Sequence, residues 1–287
     1  MNNQVKGNER HSHHWINQYA YILCDLDGCL ISGNRTMKGA QAFCNLVGER
    51  LIIISNNSVD TPETLTARLT GLGFELKPDQ IVLAGTSTID LLAEQHPGAV
   101  IDVYGSDELR QHALTAGFSL SVSNPDFVVL ARDTRFSYAS LHTILAQLLS
   151  GAELWVSNID KTHPGVNGFP VPETGALLQA ISACLPEIIY QCIGKPNAHL
   201  YHTAIERFGI QLGEALAIGD NLSTDILGAK RLGLDYIMLD PNRSRMGPES
   251  LAELIQDDAF INTSSYPCVS IQYPSMKAGQ TGNADTT

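Results

Sequence analysis

The chain has 287 residues, 44% of them hydrophobic, enough for a sizeable core and consistent with two domains or one large one. Its 18 Lys and Arg against 30 Asp and Glu give a formal net charge of -12, which excludes a general nucleic-acid binder. No apolar run approaches the roughly 20 residues that span a membrane, so no membrane partner is expected.

The first 17 residues, with His11, His13 and His14, are polar and carry no apolar leader, so they read as a flexible tail and not as a secretory signal. Ala20 to Leu23 is the first expected strand, followed by a helix over Gly39 to Val47. Leu51 to Ile54 is a buried strand running into Ser55-Asn56-Asn57-Ser58. Thr61-Pro62-Glu63 has the chemistry of a helix start, and the helix expected over Pro62 to Leu72 is closed by Gly71 and Gly73. A strand at Ile81 to Leu83 and a helix over Ser87 to Gln95 complete this series, which His96-Pro97-Gly98 interrupts. A second series follows: strand Val100 to Tyr104, helix Asp107 to Thr115, strand Phe127 to Leu130, helix Ser137 to Leu149 and strand Leu154 to Val156. The Pro- and Gly-rich stretch from Asn158 to Glu173 reads as a loop before a helix over Gly175 to Ala183, and Pro186 breaks the pattern again. Ile188 to Ile193 then reads as a strand entering Gly194-Lys195-Pro196, with a helix over Ala198 to Phe208, a strand over Ala215 to Ile218, a helix over Asp225 to Leu232 and a last strand over Tyr236 to Leu239. The 24 residues from Ser264 to Thr287 lack periodicity and read as a disordered tail.

This alternation predicts an α/β protein: a Rossmann-like doubly wound parallel sheet with an inserted α/β domain. The expected boundaries are a core of 18–96 and 188–263, an inserted domain of 97–187, and tails of 1–17 and 264–287. An insertion joined through His96-Pro97-Gly98 and Leu185-Pro186-Glu187 is expected to open and close over the core. The six cysteines show no metal-like spacing and read as buried reduced thiols, which points to a cytoplasmic protein.

The chemistry concentrates at the expected strand ends. Asp25 and Asp27 follow the first strand two residues apart, and Gly28 lets the chain bend after them. Taken alone, this stretch reads either as a strand-ending turn or as a carboxylate pair that needs a cation. Ser55 and Asn56, Lys195, and Asp220 with Asp225 stand at three further expected strand ends, and ligands of open parallel sheets bind beyond the carboxyl ends of the strands. Together these groups suit phosphoryl transfer. Asp25 would attack phosphorus, while Asp27 would protonate the leaving oxygen and then deprotonate water. Ser55 and the N–H of Asn56 would hold phosphate oxygens, and Lys195 would offset charge on phosphate and on Asp25. Asp220 would join Asp25 on Mg²⁺, with Asp225 orienting these ligands from behind.

Asp25-Leu26-Asp27-Gly28, Ser55-Asn56-Asn57, Gly194-Lys195-Pro196 and Gly219-Asp220-Asn221 with Thr224-Asp225-Ile226-Leu227 resemble the four motifs of the haloacid dehalogenase (HAD) superfamily. Their spacing is similar to that of the subclass with a large α/β cap between the second and third motifs, which includes NagD-like, 4-nitrophenylphosphatase and pyridoxal phosphatase enzymes. Ala131-Arg132-Asp133, Asn158-Ile159-Asp160, His163-Pro164 and Glu173-Thr174-Gly175-Ala176-Leu177 resemble its cap signatures. The resemblance implies a Mg²⁺-dependent phosphatase of small phosphate monoesters working through an aspartyl-phosphate. It also implies that the backbone carbonyl of Asp27, not its carboxylate, ligates the metal, and it adds Gly28 to the phosphate site and Asn221 to the residues behind the metal. His163, Arg132 and Asn57 are the candidates for contact with the substrate. Arg132 would grip a second anionic group or pair with Asp133 or Asp160, and His163 would meet substrate or bond backbone. A homodimer through the cap follows from the same resemblance. The other readings are a non-catalytic binding or regulatory protein on this fold and a phosphotransferase to an acceptor other than water.

Overall fold

The computed structural model describes residues 16–164, 169–240 and 247–256. His11, His13, His14, Cys268, the C-terminal tail expected over 264–287 and most of the N-terminal tail lie outside the described residues.

Short runs rich in Ile, Val and Leu form the strands, and four of the five in the first sheet are buried along almost their whole length, as parallel strands covered on both faces must be, while the edge strand Asp235–Met238 is partly exposed. That sheet has the order Asp235–Met238, Ala215–Gly219, Tyr21–Cys24, Leu51–Ser55 and Ile81–Leu83, with every neighbouring pair parallel. A second sheet, also parallel throughout, has the order Tyr190–Cys192, Glu153–Val156, Phe127–Leu130, Val100–Tyr104 and Ser119–Leu120. Tyr21–Cys24 lies at the centre of the first sheet between Ala215–Gly219 and Leu51–Ser55. The ends of these three neighbouring strands deliver Asp25, Asp220 and Asn56 to one place.

Helices cover both sheets. Pro62–Gly71 starts at Thr61, whose hydroxyl accepts from the N–H of Thr64 at 3.3 Å, with Pro62 in the first turn where its missing N–H costs nothing. One apolar cluster packs Phe43, Leu65 and Leu254 on one face of the first sheet. A second runs continuously from Leu23, Ile52 and Val82 of the first sheet to Val103, Val129 and Trp155 of the second.

The structure differs from the sequence reading in several places. The strand Tyr190–Cys192, which the sequence reading grouped with the core from residue 188, pairs with Glu153–Val156 at the edge of the second sheet. Ile189, just before this edge strand, is 87% exposed. Asp225 does not start an α-helix: Leu222–Ile226 is a π-helical turn, and the α-helix begins at Leu227. The stretch expected as a plain loop contains an antiparallel pair, Thr162–Pro164 with Pro170–Pro172. Cys184 is exposed at a helix end and Cys192 only half-buried on the edge strand, whereas Cys24, Cys29 and Cys44 are buried free thiols as expected.

Candidate active site

Backbone geometry builds the floor of the site. The N–H of Asp25 donates to Ile218 O at 2.8 Å, which extends the pairing of the two central strands to the point where the carboxylates begin. Gly28 has φ +86°, and a Cβ there would overlap the Asp220 carboxylate. A Cβ at Gly219 would overlap the Asp225 side chain in the same way. Both glycines therefore let acidic side chains close in on the backbone of neighbouring strand ends.

Lys195 is the hub. It arrives on the connection leaving the second sheet, not at the end of a first-sheet strand, and is 2% exposed. Its ammonium donates to Asp25 Oδ1 at 2.6 Å, Asp225 Oδ1 at 2.5 Å and Ile54 O at 2.8 Å, which uses all three protons. The other Asp225 oxygen accepts from the N–H of Asn221 at 3.1 Å, and the Asn221 side chain accepts from the N–H of Ser223 at 2.9 Å. Asp225 is thus a brace between Lys195 and the turn that carries Asp220. The flanking charges hold the Lys195 ammonium in its charged form against the cost of burial.

The carboxylates are in the opposite position. Burial pushes the Asp25 pKa well above the usual range, and the neighbouring Asp225 adds to this, against the pull of Lys195. Asp220 is pushed up to about 6, by burial first and Asp225 second. Asp27 is also raised by desolvation, opposed by the charges of Arg68 and His163. Asp25, Asp220 and Asp225 outnumber the single ammonium among them, so the cluster lacks positive charge. Oxygens of Asp25 and Asp220 and the Cys29 sulfur lie within 4.8 Å of one another. Its bond with Cys24, and then burial, push the Cys29 thiol well up, which keeps it protonated and leaves a hard carboxylate pair as the donor set. That set fits Mg²⁺.

The Ser55 to Ser58 loop is tied to both sheets. Ser55 Oγ accepts from the N–H of Asn57 at 3.1 Å, so its own proton is left to donate. The Asn56 amide clamps Lys195 from both sides. Its oxygen accepts from Lys195 N at 2.7 Å, and its nitrogen donates to Lys195 O at 3.1 Å and to Asp160 Oδ2 at 2.9 Å. Asn158 donates to Asn56 O at 2.8 Å, and the N–H of Arg132 donates to Ser58 Oγ at 3.0 Å. The Asn57 side chain, expected to reach substrate, is engaged in its own turn: its oxygen accepts from the N–H groups of Val59 and Asp60, and its nitrogen donates to Asp60.

Arg68 donates to Asp60 at 2.7 Å. Arg132 pairs with Glu173 at 3.4 Å and not with Asp133 or Asp160, and His163 Nδ1 stands 2.6 Å from the same Glu173 oxygen. Sequence reasoning assigned no role to Arg68, Asp60 or Glu173. Glu173 follows the Thr162–Pro164 and Pro170–Pro172 pair, and that unforeseen pairing brings it beside His163.

Two family models match the chain. One described as haloacid dehalogenase-like hydrolase covers residues 22–119, and one described as HAD-hydrolase-like covers residues 192–257. The chain is 31% identical over 220 residues to a dihydroxyacetone phosphatase of Corynebacterium glutamicum, covering 76% of this chain and 79% of that one. It is 29% identical over 226 residues to an acid sugar phosphatase of Staphylococcus epidermidis, covering 77% and 86%. Its fold superposes with a TM-score of 0.75 on the crystal structure of a glycerol phosphate phosphatase from Mycobacterium tuberculosis in complex with magnesium, at 26% identity over 85% of this chain and 78% of that one.

Proposed function

The chain belongs to the haloacid dehalogenase-like hydrolases, and on that premise we propose that it is a Mg²⁺-dependent phosphatase of small-molecule phosphate monoesters with the following division of labour. The supporting observation is the Lys195 ammonium fixed on Asp25 and Asp225 at the mouth of the central strands. It holds one Asp25 oxygen and leaves the other for in-line attack on phosphorus. Asp25 and Asp220, with the Asp27 carbonyl, would hold Mg²⁺, which would offset charge on the phosphate. The phosphoryl group passes to Asp25, and the P–O bond to the leaving group breaks as Asp27 delivers its proton to that oxygen. Asp27 then takes a proton from water as water attacks the phosphorus of the aspartyl-phosphate, which returns Asp25 and releases phosphate. The raised pKa of Asp27 suits a group that must carry that proton. Ser55, the Asn56 N–H and the backbone at Gly28 receive phosphate oxygens, while Asp225 and Asn221 brace the site from behind.

We assign residues 18–96 and the chain beyond Cys192 to the catalytic core, and the second sheet to a cap over it. The relatives' names bring glycerol phosphate, dihydroxyacetone phosphate and sugar phosphates forward as substrates, and His163 and Arg132 as the cap residues nearest them. The buried free thiols support a reducing, cytoplasmic setting. A homodimer through the cap would use the open edge at Tyr190–Cys192, where Ile189 is exposed.

The test is p-nitrophenyl phosphate hydrolysis with Mg²⁺ by wild type, Asp25→Asn and Asp27→Asn. We expect no detectable turnover for Asp25→Asn with the fold intact by circular dichroism, and a loss of about 10²–10⁴-fold for Asp27→Asn. Substantial turnover by Asp25→Asn rejects the nucleophile assignment.

A further inference from the structure

The wall of the site facing the leaving group carries its charges in balanced pairs. Arg68 is held by Asp60, which also receives the Asn57 amide. Arg132 and His163 share one oxygen of Glu173, at 3.4 and 2.6 Å. Glu173 is the most enclosed of these three, with a side chain 15% exposed against 28% for Arg132 and 32% for His163. The three come from different segments. Arg132 follows the strand Phe127–Leu130 and is tied by its N–H to Ser58. His163 sits on Thr162–Pro164, and the N–H of Glu173 closes that same pairing by donating to Lys161 O at 3.0 Å. The bond from the Arg132 N–H to Ser58 Oγ ties this wall to the loop that carries Asn56, beside the proposed phosphate site, and the charges of Arg68 and His163 oppose the upward shift of Asp27, the proposed proton donor to the leaving oxygen.

We infer that Glu173 is the specificity-determining residue for the leaving group: by occupying Arg132 and His163 it selects uncharged, hydroxylated phosphate esters and rejects esters that carry a second anion. The inference rests on the phosphatase reading above. A carboxylated ester must take Arg132 away from Glu173, which leaves an enclosed carboxylate with His163 as its one remaining ion-pair partner beside an incoming carboxylate. A hydroxylated leaving group makes no such demand. Its hydroxyls donate to the second Glu173 oxygen and accept from the guanidinium N–H groups that Glu173 leaves free, with no change in the charge count.

The experiment measures kcat/KM for glycerol 3-phosphate and for 3-phosphoglycerate, which places a carboxylate where glycerol phosphate has a hydroxymethyl group, with p-nitrophenyl phosphate as the wild-type reference. The wild type should favour glycerol 3-phosphate by at least about tenfold, the scale of one charge-assisted hydrogen bond. Glu173→Gln frees Arg132 and should move the ratio about tenfold toward 3-phosphoglycerate. Arg132→Gln leaves Glu173 less compensated and should move the ratio the other way, so it decides the matter should Glu173→Gln fail to fold. A wild type that prefers 3-phosphoglycerate, or ratios that stay together in the folded variants, overturns the role of Glu173 and leaves the phosphatase reading standing. A wild type with no turnover of any ester, p-nitrophenyl phosphate included, overturns both.

Discussion

Replacing Lys195 with Met removes the one ammonium in the carboxylate cluster while keeping the volume of its stem. The ammonium stands 2.6 Å from Asp25 and 2.5 Å from Asp225. At an effective dielectric of about 20, each contact is worth about 6 kcal/mol of gross attraction. Desolvation of the three ions offsets most of this, and measured losses on breaking a buried pair are about 3–5 kcal/mol, mainly the cost of the orphaned charge. Asp25 already has a raised pKa, so proton uptake relieves part of that cost and puts the expected loss near the lower end, about 3 kcal/mol. At about 3 °C per kcal/mol for a chain of this size, Lys195→Met should melt about 9 °C below wild type in EDTA. Adding Asp225→Asn removes one orphaned charge and should return about 2 kcal/mol of stability, since contacting sites are not additive. Turnover with Mg²⁺ should stay at least about 10³-fold down in both variants, because the charge proposed to offset the phosphate is missing in both. Thermal melts and steady-state p-nitrophenyl phosphate hydrolysis read the two effects separately. A Lys195→Met protein that melts within about 2 °C of wild type would refute the buried-charge reasoning, and turnover recovered in the double variant would refute the catalytic role.

Three other outcomes are expected. EDTA should abolish turnover and Mg²⁺ restore it. Mg²⁺ at 100 times its Kd should also stabilise wild type by about 2.7 kcal/mol in a thermal melt. The Asp220→Asn protein should show neither effect, and a full Mg²⁺ shift in that variant would remove Asp220 from the metal site. Asn56→Ala deletes the clamp on the Lys195 backbone and the bond to Asp160, and should lower kcat about 10²-fold through misplacement of Lys195; an unchanged kcat would show that Lys195 holds its place without it. His112 bonds Asp90 and feels Glu63, which raises its pKa above the ordinary 6.5. A raised His pKa gives stability that is complete below the unfolded value and lost as pH rises through the folded one. His112→Gln should therefore cost more at pH 5.5 than at pH 8.5, by under about 1 kcal/mol for so exposed a pair, and an equal cost at both would reject the linkage.

The parallel α/β architecture was legible because it rests on local signals: apolar runs of strand length, turn residues after them and helix starts such as Thr61-Pro62. The groups around Asp25 were legible for a related reason. Neighbouring parallel strands end at the same edge, so short polar motifs after Cys24, Ser55 and Gly219 must lie together. Lys195 reached the right place by a route that periodicity does not reveal. The apolar run at Ile188 and Ile189 reads as a core strand, and only its pairing with Glu153–Val156 shows that it belongs to the other sheet. The wall that carries Arg132 and His163 was illegible in its particulars. The sequence has Arg132 grip a second anionic group or pair with Asp133 or Asp160, yet its partner is Glu173, which is brought close by a two-strand pairing of Pro-rich segments. Prolines removed the donors and the alternation by which a strand is recognised.

The contacts between the two sheets bear on both specificity and turnover. An inserted unit joined at two Pro-containing breaks was expected to swing, but the contacts between the sheets are not those of a free hinge. An apolar cluster runs from Ile54 and Val82 into Val129 and Trp155. At the site, Asn158 holds Asn56 O, Asp160 holds the Asn56 amide, Arg132 holds Ser58, and Ser106 donates to Val59 O at 2.6 Å. Every one of these polar contacts ends on the loop after Leu51–Ser55, whose first residues are the proposed phosphate donors. Opening wide enough to break them would loosen the phosphate site together with the leaving-group wall, and the Asn56 clamp would carry that loosening to Lys195. A cap that swings over a fixed core leaves the Lys195 and Asp25 contact unchanged in the open state. A cap bonded to the phosphate loop assembles the charge cluster only when closed, so Asp160→Ala should lower kcat as well as raise KM. A change in KM alone would favour the swinging cap.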